Sequence, residues 1–133
     1  MKVVLDTNVL LVSLLKTSKY RPIFDGLINK KFILVITHEI LQEYIEILSI
    51  KTNAQIAQNV ADLIINLENI ERIDIYYRWG LIINDPDDNK FVDCAIAGNV
   101  KYVVSNDKHF NVLSEVEFPS VNVITSDQFL KEL

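Results

Sequence analysis

Asp6, Glu43, the cluster Asp85, Asp87, Asp88 and Asp93, and Asp107 are carboxylates placed where backbone elements end or begin. Asp6 closes the apolar run Val3-Val4-Leu5, and Asp107 follows Tyr102-Val103-Val104 after Ser105-Asn106. Both therefore project from the carboxyl edge of strands that are otherwise buried, and in open α/β sheets that edge is where ligands bind. Acids gathered there repel one another unless a cation compensates them, and an all-oxygen ligand set suits Mg²⁺ or Mn²⁺. The chemistry this pattern points to is metal-dependent work on phosphate esters.

Each acid also has a plainer reading. Asp6 sits at a helix start, where it can act as an N-cap with Thr7 and Asn8 as rivals, or lie near the partly positive N-terminus as a ligand. Asn8 can hydrogen-bond a metal-ligating carboxylate from behind. Glu43 falls on a helix expected over Thr37 to Ser49, and with Glu39 and Glu46 it could equally form a solvated stripe. Asp85-Pro86-Asp87-Asp88-Asn89 is turn chemistry, in which Asp88 or Asn89 can cap the next helix. Asp93 interrupts Phe91, Val92, Cys94, Ala95, Ile96 and Ala97, and a carboxylate on so apolar a helix needs a partner, either a cation or a buried hydrogen bond. Asp107 can cap Lys108 to Leu113. His38 and His109 form no zinc-ligand spacing with Cys94, and neither a Ser-His-acid arrangement nor a Gly-rich phosphate loop is present.

The elements that must position these residues alternate. Short apolar runs predict strands at Lys2 to Leu5, Phe32 to Ile36, Ile70 to Ile75, Lys101 to Val104 and Val121 to Ile124. Helical patterns lie between them: Val9 to Leu15, Pro22 to Asn29, and Ile40, Leu41, Tyr44, Ile45 and Leu48 behind an N-cap at Thr37. Thr52 and Gln55 form a capping-box pattern before Ile56, Phe91 to Ala97 ends at Gly98, and Thr125 with Gln128 caps a last short helix. This alternation predicts a three-layer α/β/α sandwich around a mainly parallel sheet. The long connection Tyr76 to Asp88 carries Tyr76, Tyr77, Arg78 and Trp79, which either stack single-stranded bases or pack as an approach to a helix, with a bend at Trp79-Gly80.

At 133 residues with three Gly and three Pro the chain is expected to be one domain, residues 1–133, large enough to bury a core without staples. Its one cysteine excludes an internal disulfide, no basic-plus-apolar leader opens the chain, and no apolar stretch approaches a membrane span, so a cytoplasmic protein is expected. The net charge of −5 argues against a generic nucleic-acid binder. Setting aside Asp6, Glu43, Asp88, Asp93 and Asp107, however, leaves 13 acids against 13 Lys and Arg. The rest of the chain is formally neutral, and a divalent ion reverses much of the charge at the proposed site.

Taken in order, Val3-Val4-Leu5-Asp6-Thr7-Asn8-Val9, Glu43, the stretch Asp85 to Ala97 and Val103-Val104-Ser105-Asn106-Asp107 resemble the PIN-domain ribonucleases, and more narrowly the VapC-like toxins of bacterial toxin-antitoxin systems. The resemblance runs the whole length of the chain, and its long acidic motif is the specific part. It implies a parallel sheet with an acidic pocket at its carboxyl edge, Mg²⁺ or Mn²⁺ as cofactor, endonucleolytic cleavage of RNA, an antitoxin protein as partner and a homodimer. The family's acidic quartet maps onto Asp6, Glu43, Asp93 and Asp107, with Asp88 as a fifth member and Ser105 at the hydroxyl position that supports the last acid. Asn106 stands where many relatives have Gly, and Asn tolerates positive φ.

Two other classes compete. Receiver-type signalling domains need a paired acid after the first strand and a late Lys, and haloacid-dehalogenase phosphatases need a second Asp where this chain has Asn8. A catalytically weak module that keeps the fold and acts by binding protein or RNA is the alternative that retains all these residues.

Overall fold

The structure, a computed structural model, describes residues 1–133. Five strands, β1 (Lys2–Leu5), β2 (Ile33–Ile36), β3 (Ile70–Arg72), β4 (Tyr102–Val104) and β5 (Val123–Ile124), form one parallel sheet in the order β3-β2-β1-β4-β5. Val3, Val4 and Leu5 of β1 and Leu34, Val35 and Ile36 of β2 are wholly buried, as strands covered on both faces must be. The covering helices are α1 (Thr7–Ser13), α2 (Arg21–Ile28), α3 (His38–Lys51), α4 (Ala54–Asn66), α5 (Asn89–Gly98) and α6 (Ser126–Leu130), with 3₁₀ segments at Pro86–Asp88 and Lys108–Glu115. The three-layer α/β/α architecture is the one the alternation predicts. No helix is long and apolar enough to cross a membrane.

The strand order fixes where a site can form. From β1 the chain steps to β2 and β3 on one side, then returns through α5 to place β4 on the other side of β1. The carboxyl ends of β1 and β4 therefore flank the point where the winding reverses, the crevice in which such sheets bind ligands. Leu5 is in register with Val104, and the Asp6 N–H donates to the Val104 carbonyl at 3.0 Å, so the ladder runs right up to the acids.

Local differences from expectation have local causes. β3 ends at Arg72, although the Ile73 N–H still reaches the Ile36 carbonyl at 3.0 Å. Asn53 rather than Thr52 caps α4, accepting the Ile56 N–H at 2.8 Å, because the Thr52 hydroxyl is turned back to the Leu48 carbonyl at the end of α3. Gly98 lies inside α5, and the left-handed residue that ends the helix is Asn99, with φ of 50°. A Cβ at Gly98 would lie 2.8 Å from Val35 Cγ1, so the glycine serves close helix-to-sheet packing. The capping box of Thr125 and Gln128 is present. Residues 73–85 have no regular secondary structure and turn at Gly80, where φ is +63°.

Candidate metal centre

Asp6 is buried at the end of β1 and occupies the N-cap position of α1 without making a side-chain cap bond. Its Oδ2 instead accepts the Ser105 hydroxyl at 2.8 Å, and the same Ser105 oxygen accepts the Asp107 backbone N–H at 3.0 Å. One hydroxyl thus ties the two strand-end acids together across the switch point. Burial raises the Asp6 carboxyl above its usual range, and Asp107 and Glu43 add to the rise against the Ser105 bond. Asp107 keeps part of its capping role, since Oδ1 accepts the His109 N–H at 2.9 Å.

Asp88 occupies the N-cap position of α5, again with no side-chain cap bond. It is 9% exposed, and its Oδ2 is buried with no hydrogen-bond partner. Burial first, then repulsion from Asp107, Asp85 and Asp6, pushes this carboxyl up to about 7. A protein rarely leaves such an oxygen orphaned without a reason. A carboxylate crowded by others and lacking a donor is the arrangement that a cation resolves.

Glu43 is brought to the same pocket from α3, whose neighbouring Tyr44 is buried and donates its hydroxyl to the Leu5 carbonyl at 2.6 Å. That bond anchors the helix to the end of β1, one residue before Asp6. Glu43 is itself engaged on both oxygens: Oε2 accepts the Thr7 hydroxyl, and Oε1 pairs with Lys90 Nζ at 2.7 Å. Asn8 is exposed and lines this pocket without hydrogen-bonding any of the acids.

Asp93 does not join them. Five residues separate it from Asp88, a rotation of about 140° around α5, so the two carboxylates leave on different faces. Asp93 is 2% exposed, and its Oδ1 accepts the Trp79 backbone N–H at 3.0 Å, with Arg78 and Glu39 nearby. Burial raises its carboxyl, and the Trp79 bond and Arg78 oppose the rise. Four residues earlier on the same helix, Asn89 receives the Ile82 N–H at 2.8 Å and donates to the Ile82 carbonyl at 2.9 Å. Asn89 and Asp93 are thus two pins that hold the strap 73–85 against α5. The expected convergence of Asp93 with Asp6 and Asp107 is replaced by this buried hydrogen bond, and Asp88 takes its place in the acidic pocket.

Asn106 also differs from expectation. Its φ is not positive, and its side-chain Nδ2 instead donates to the Ser126 hydroxyl at 2.9 Å while its side-chain Oδ1 accepts the Ser126 N–H at 3.0 Å. It fastens the turn after β4 to the start of α6. Four partners are not marked by sequence spacing: Thr7 beside Glu43, Lys90 as its counter-ion, and Asp85 and His109 beside Asp88 and Asp107. The signal for Lys90 lay in the acidic motif itself, two residues after Asp88.

The polar pocket of Asp6, Glu43, Asp88 and Asp107 has neighbours that share Asp87, Glu43 and Lys90 in their walls, and one of these grooves is lined by Arg78 and Asp93. On the strap Tyr76 is 92% exposed, Tyr77 meets Trp79 edge-to-face at 4.6 Å between centroids, and Trp79 meets the exposed Phe118 at 6.2 Å.

Among solved structures, the chain resembles one from VapBC2 of Rickettsia felis bound to a DNA fragment from their promoter, at 22% identity and a TM-score of 0.62, covering 94% of this chain and 98% of that one. It resembles another from DNA-bound VapBC of Salmonella typhimurium at 16% identity and a TM-score of 0.63, covering 95% and 98%. The PIN domain endonuclease Utp24 matches at 21% identity and a TM-score of 0.54, over 93% of this chain and 84% of that one. At these identities the likeness is one of fold. No curated protein matches the chain by sequence. The PIN domain family matches residues 2–109, from the first strand through both strand-end acids, and the chain belongs to that family.

Proposed function

We propose that this protein is a metal-dependent endoribonuclease that cleaves single-stranded or loop RNA and serves as the toxin of a bacterial toxin-antitoxin pair. The observation that carries the reading is the meeting of Asp6, Asp88 and Asp107 at the switch point, with one buried Asp88 oxygen lacking any protein donor. The oxygen-only donor set fits Mg²⁺ or Mn²⁺. A divalent ion bound there lowers the pKa of a water and stabilises charge on a phosphate.

The residues of the chain supply the rest. Asp6, Asp88 and Asp107 would hold the ion, and Ser105 fixes the first and last of them relative to each other. Glu43, oriented by Thr7 and Lys90, faces the same pocket from α3 and is placed to orient a water. Asp93 acts at one remove, holding the strap that carries Arg78 and the aromatic residues. Arg78, paired with Glu39 at 2.7 Å, lines the groove and offers a cation for phosphate, and the exposed Tyr76 and Tyr77 beside it in sequence offer ring faces for unpaired bases.

The antitoxin reading rests on the VapBC complexes among the similar folds. A homodimer and a cytoplasmic location accompany it in this proposal, as does the treatment of residues 1–133 as one domain. The binding-module alternative has one observation in its favour, the engagement of both Glu43 oxygens by Thr7 and Lys90. Incubation of the purified protein with end-labelled single-stranded and hairpin RNA, in Mn²⁺, Mg²⁺ or EDTA, separates the two. Cleavage that requires the metal and disappears in Asp107→Asn supports the nuclease; cleavage equal in parent and variant, or none in either, supports the module.

A further inference from the structure

His109 has no zinc-ligand spacing in the sequence, yet it stands among three carboxylates. Its Nδ1 lies 3.2 Å from Asp107 Oδ1, 3.5 Å from Asp85 Oδ2 and 3.7 Å from Asp88 Oδ2. One donor atom from each of the four residues falls within 4.8 Å of all the others. Ligands about 2.1 Å from an octahedral ion lie about 3 Å apart when adjacent and about 4.2 Å apart when opposite. The four donors therefore need only a small contraction to share one ion.

Two independent features say this cluster is more than surface acidity. The Asp88 oxygen facing His109 is the buried, unpartnered one. Asp85, at the N-cap position of the Pro86–Asp88 turn, makes no cap bond, so its carboxylate is not committed to the backbone. The turn holds its shape by other means, with the Asp88 N–H donating to the Asp85 carbonyl at 3.1 Å and Pro86 in the first turn.

We infer that Asp85 and His109, sharing Asp88 and Asp107 with the acidic pocket, form a second cation subsite with a mixed nitrogen and oxygen donor set, selective for a first-row transition ion such as Mn²⁺ over Mg²⁺. The inference rests on the metal-centre reading above and deepens it. Asp85, Asp88 and Asp107 line one pocket with Asp6 and Glu43, and His109 joins the first three through its Nδ1. A nitrogen donor is the discriminating element: Mg²⁺ favours oxygen ligands and keeps its waters, whereas an imidazole suits transition ions. The rival arrangement is an imidazolium at His109 that acts as the counter-ion to the three acids and leaves no room for a metal.

Pulsed EPR of the Mn²⁺-loaded full chain, with Mn²⁺ and Mg²⁺ affinities measured by calorimetry, tests the inference in the parent and in His109→Gln. His109 is exposed, and an unchanged melting temperature of the metal-free variant shows that it is folded. The expected result is ¹⁴N coupling to bound Mn²⁺ in the parent, lost in His109→Gln. The variant should lose about tenfold or more in Mn²⁺ affinity and hold its Mg²⁺ affinity within about twofold. Bound Mn²⁺ without ¹⁴N coupling, or an unchanged ratio of Mn²⁺ to Mg²⁺ affinity in His109→Gln, overturns the subsite and leaves the acidic pocket standing if Asp107→Asn still abolishes binding. Absence of Mn²⁺ binding in the parent overturns both.

Discussion

The two ends of one short segment, Asp88 and Asp93, are buried carboxylates with opposite fates. Asp93 has a backbone donor at 3.0 Å and Arg78 nearby, so its charge is answered by the protein. Asp88 has three other acids around it, no donor on its buried oxygen, and a carboxyl raised to about 7. Burial alone therefore does not mark a functional acid. What sets Asp88 apart, and makes it the candidate, is burial that the fold leaves uncompensated.

The largest expected effect breaks the Asp88 side. Asp6→Asn and Asp107→Asn each remove a donor from the pocket while keeping size and shape, and RNA cleavage should fall by at least about 100-fold. Both variants should remain folded by circular dichroism. Expressed in cells without a partner protein, they should relieve any growth arrest that the parent causes.

Stability sharpens the comparison next. Asp93→Ala orphans the Trp79 N–H and frees the strap, so urea unfolding should show a loss of about 1–3 kcal/mol, and hydrogen exchange should speed up at Trp79 and Ile82. Asp93→Asn keeps an oxygen acceptor and should lose far less. Retained Trp79 protection in Asp93→Ala would show that Asn89 alone holds the strap. Gly98→Ala, which presses a methyl onto Val35, should cost about 1–3 kcal/mol by moving α5, and with it both acids. An alanine variant as stable as the parent would contradict the close packing.

Dependence on pH is a smaller and more specific signature. In metal-free protein the folded Asp88 carboxyl lies near 7, against 3.8 as the ordinary value. Between those values the folded state holds a proton that the unfolded chain releases, so stability is full below about 4 and declines as pH rises through about 7. Asp6 acts in the same direction. Melting in EDTA should fall across that window, Asp88→Asn should flatten the profile, and a profile identical in parent and variant would show that Asp88 is not under this strain.

Much of the fold was legible because it rests on patterns that sequence carries directly. Fully apolar strands such as Val3 to Leu5, separated by helical periods, leave few alternatives to a covered parallel sheet. The strand-end acids Asp6 and Asp107 were legible for the same reason, since position at the end of a strand is a one-dimensional property. Asp93 was not, because its partner is the backbone N–H of Trp79, 14 residues away along an irregular strap. Counting around the helix would have parted it from Asp88, yet nothing in the sequence says which face meets the pocket. His109 was hidden in the same way, since its neighbours Asp85 and Asp88 come from the other side of β4. Asn106 suggests a backbone-conformation role by its position, whereas its side chain is a clasp to Ser126.

The central claim is that the acids at the switch point hold a divalent cation and that Asp93 does not. A calorimetric Mn²⁺ titration of the parent, Asp88→Asn and Asp93→Asn at one pH tests it most directly. The account predicts saturable binding in the parent, a loss of at least about tenfold in affinity for Asp88→Asn, and near-parent affinity for Asp93→Asn. Binding that survives Asp88→Asn but is lost in Asp93→Asn would contradict it.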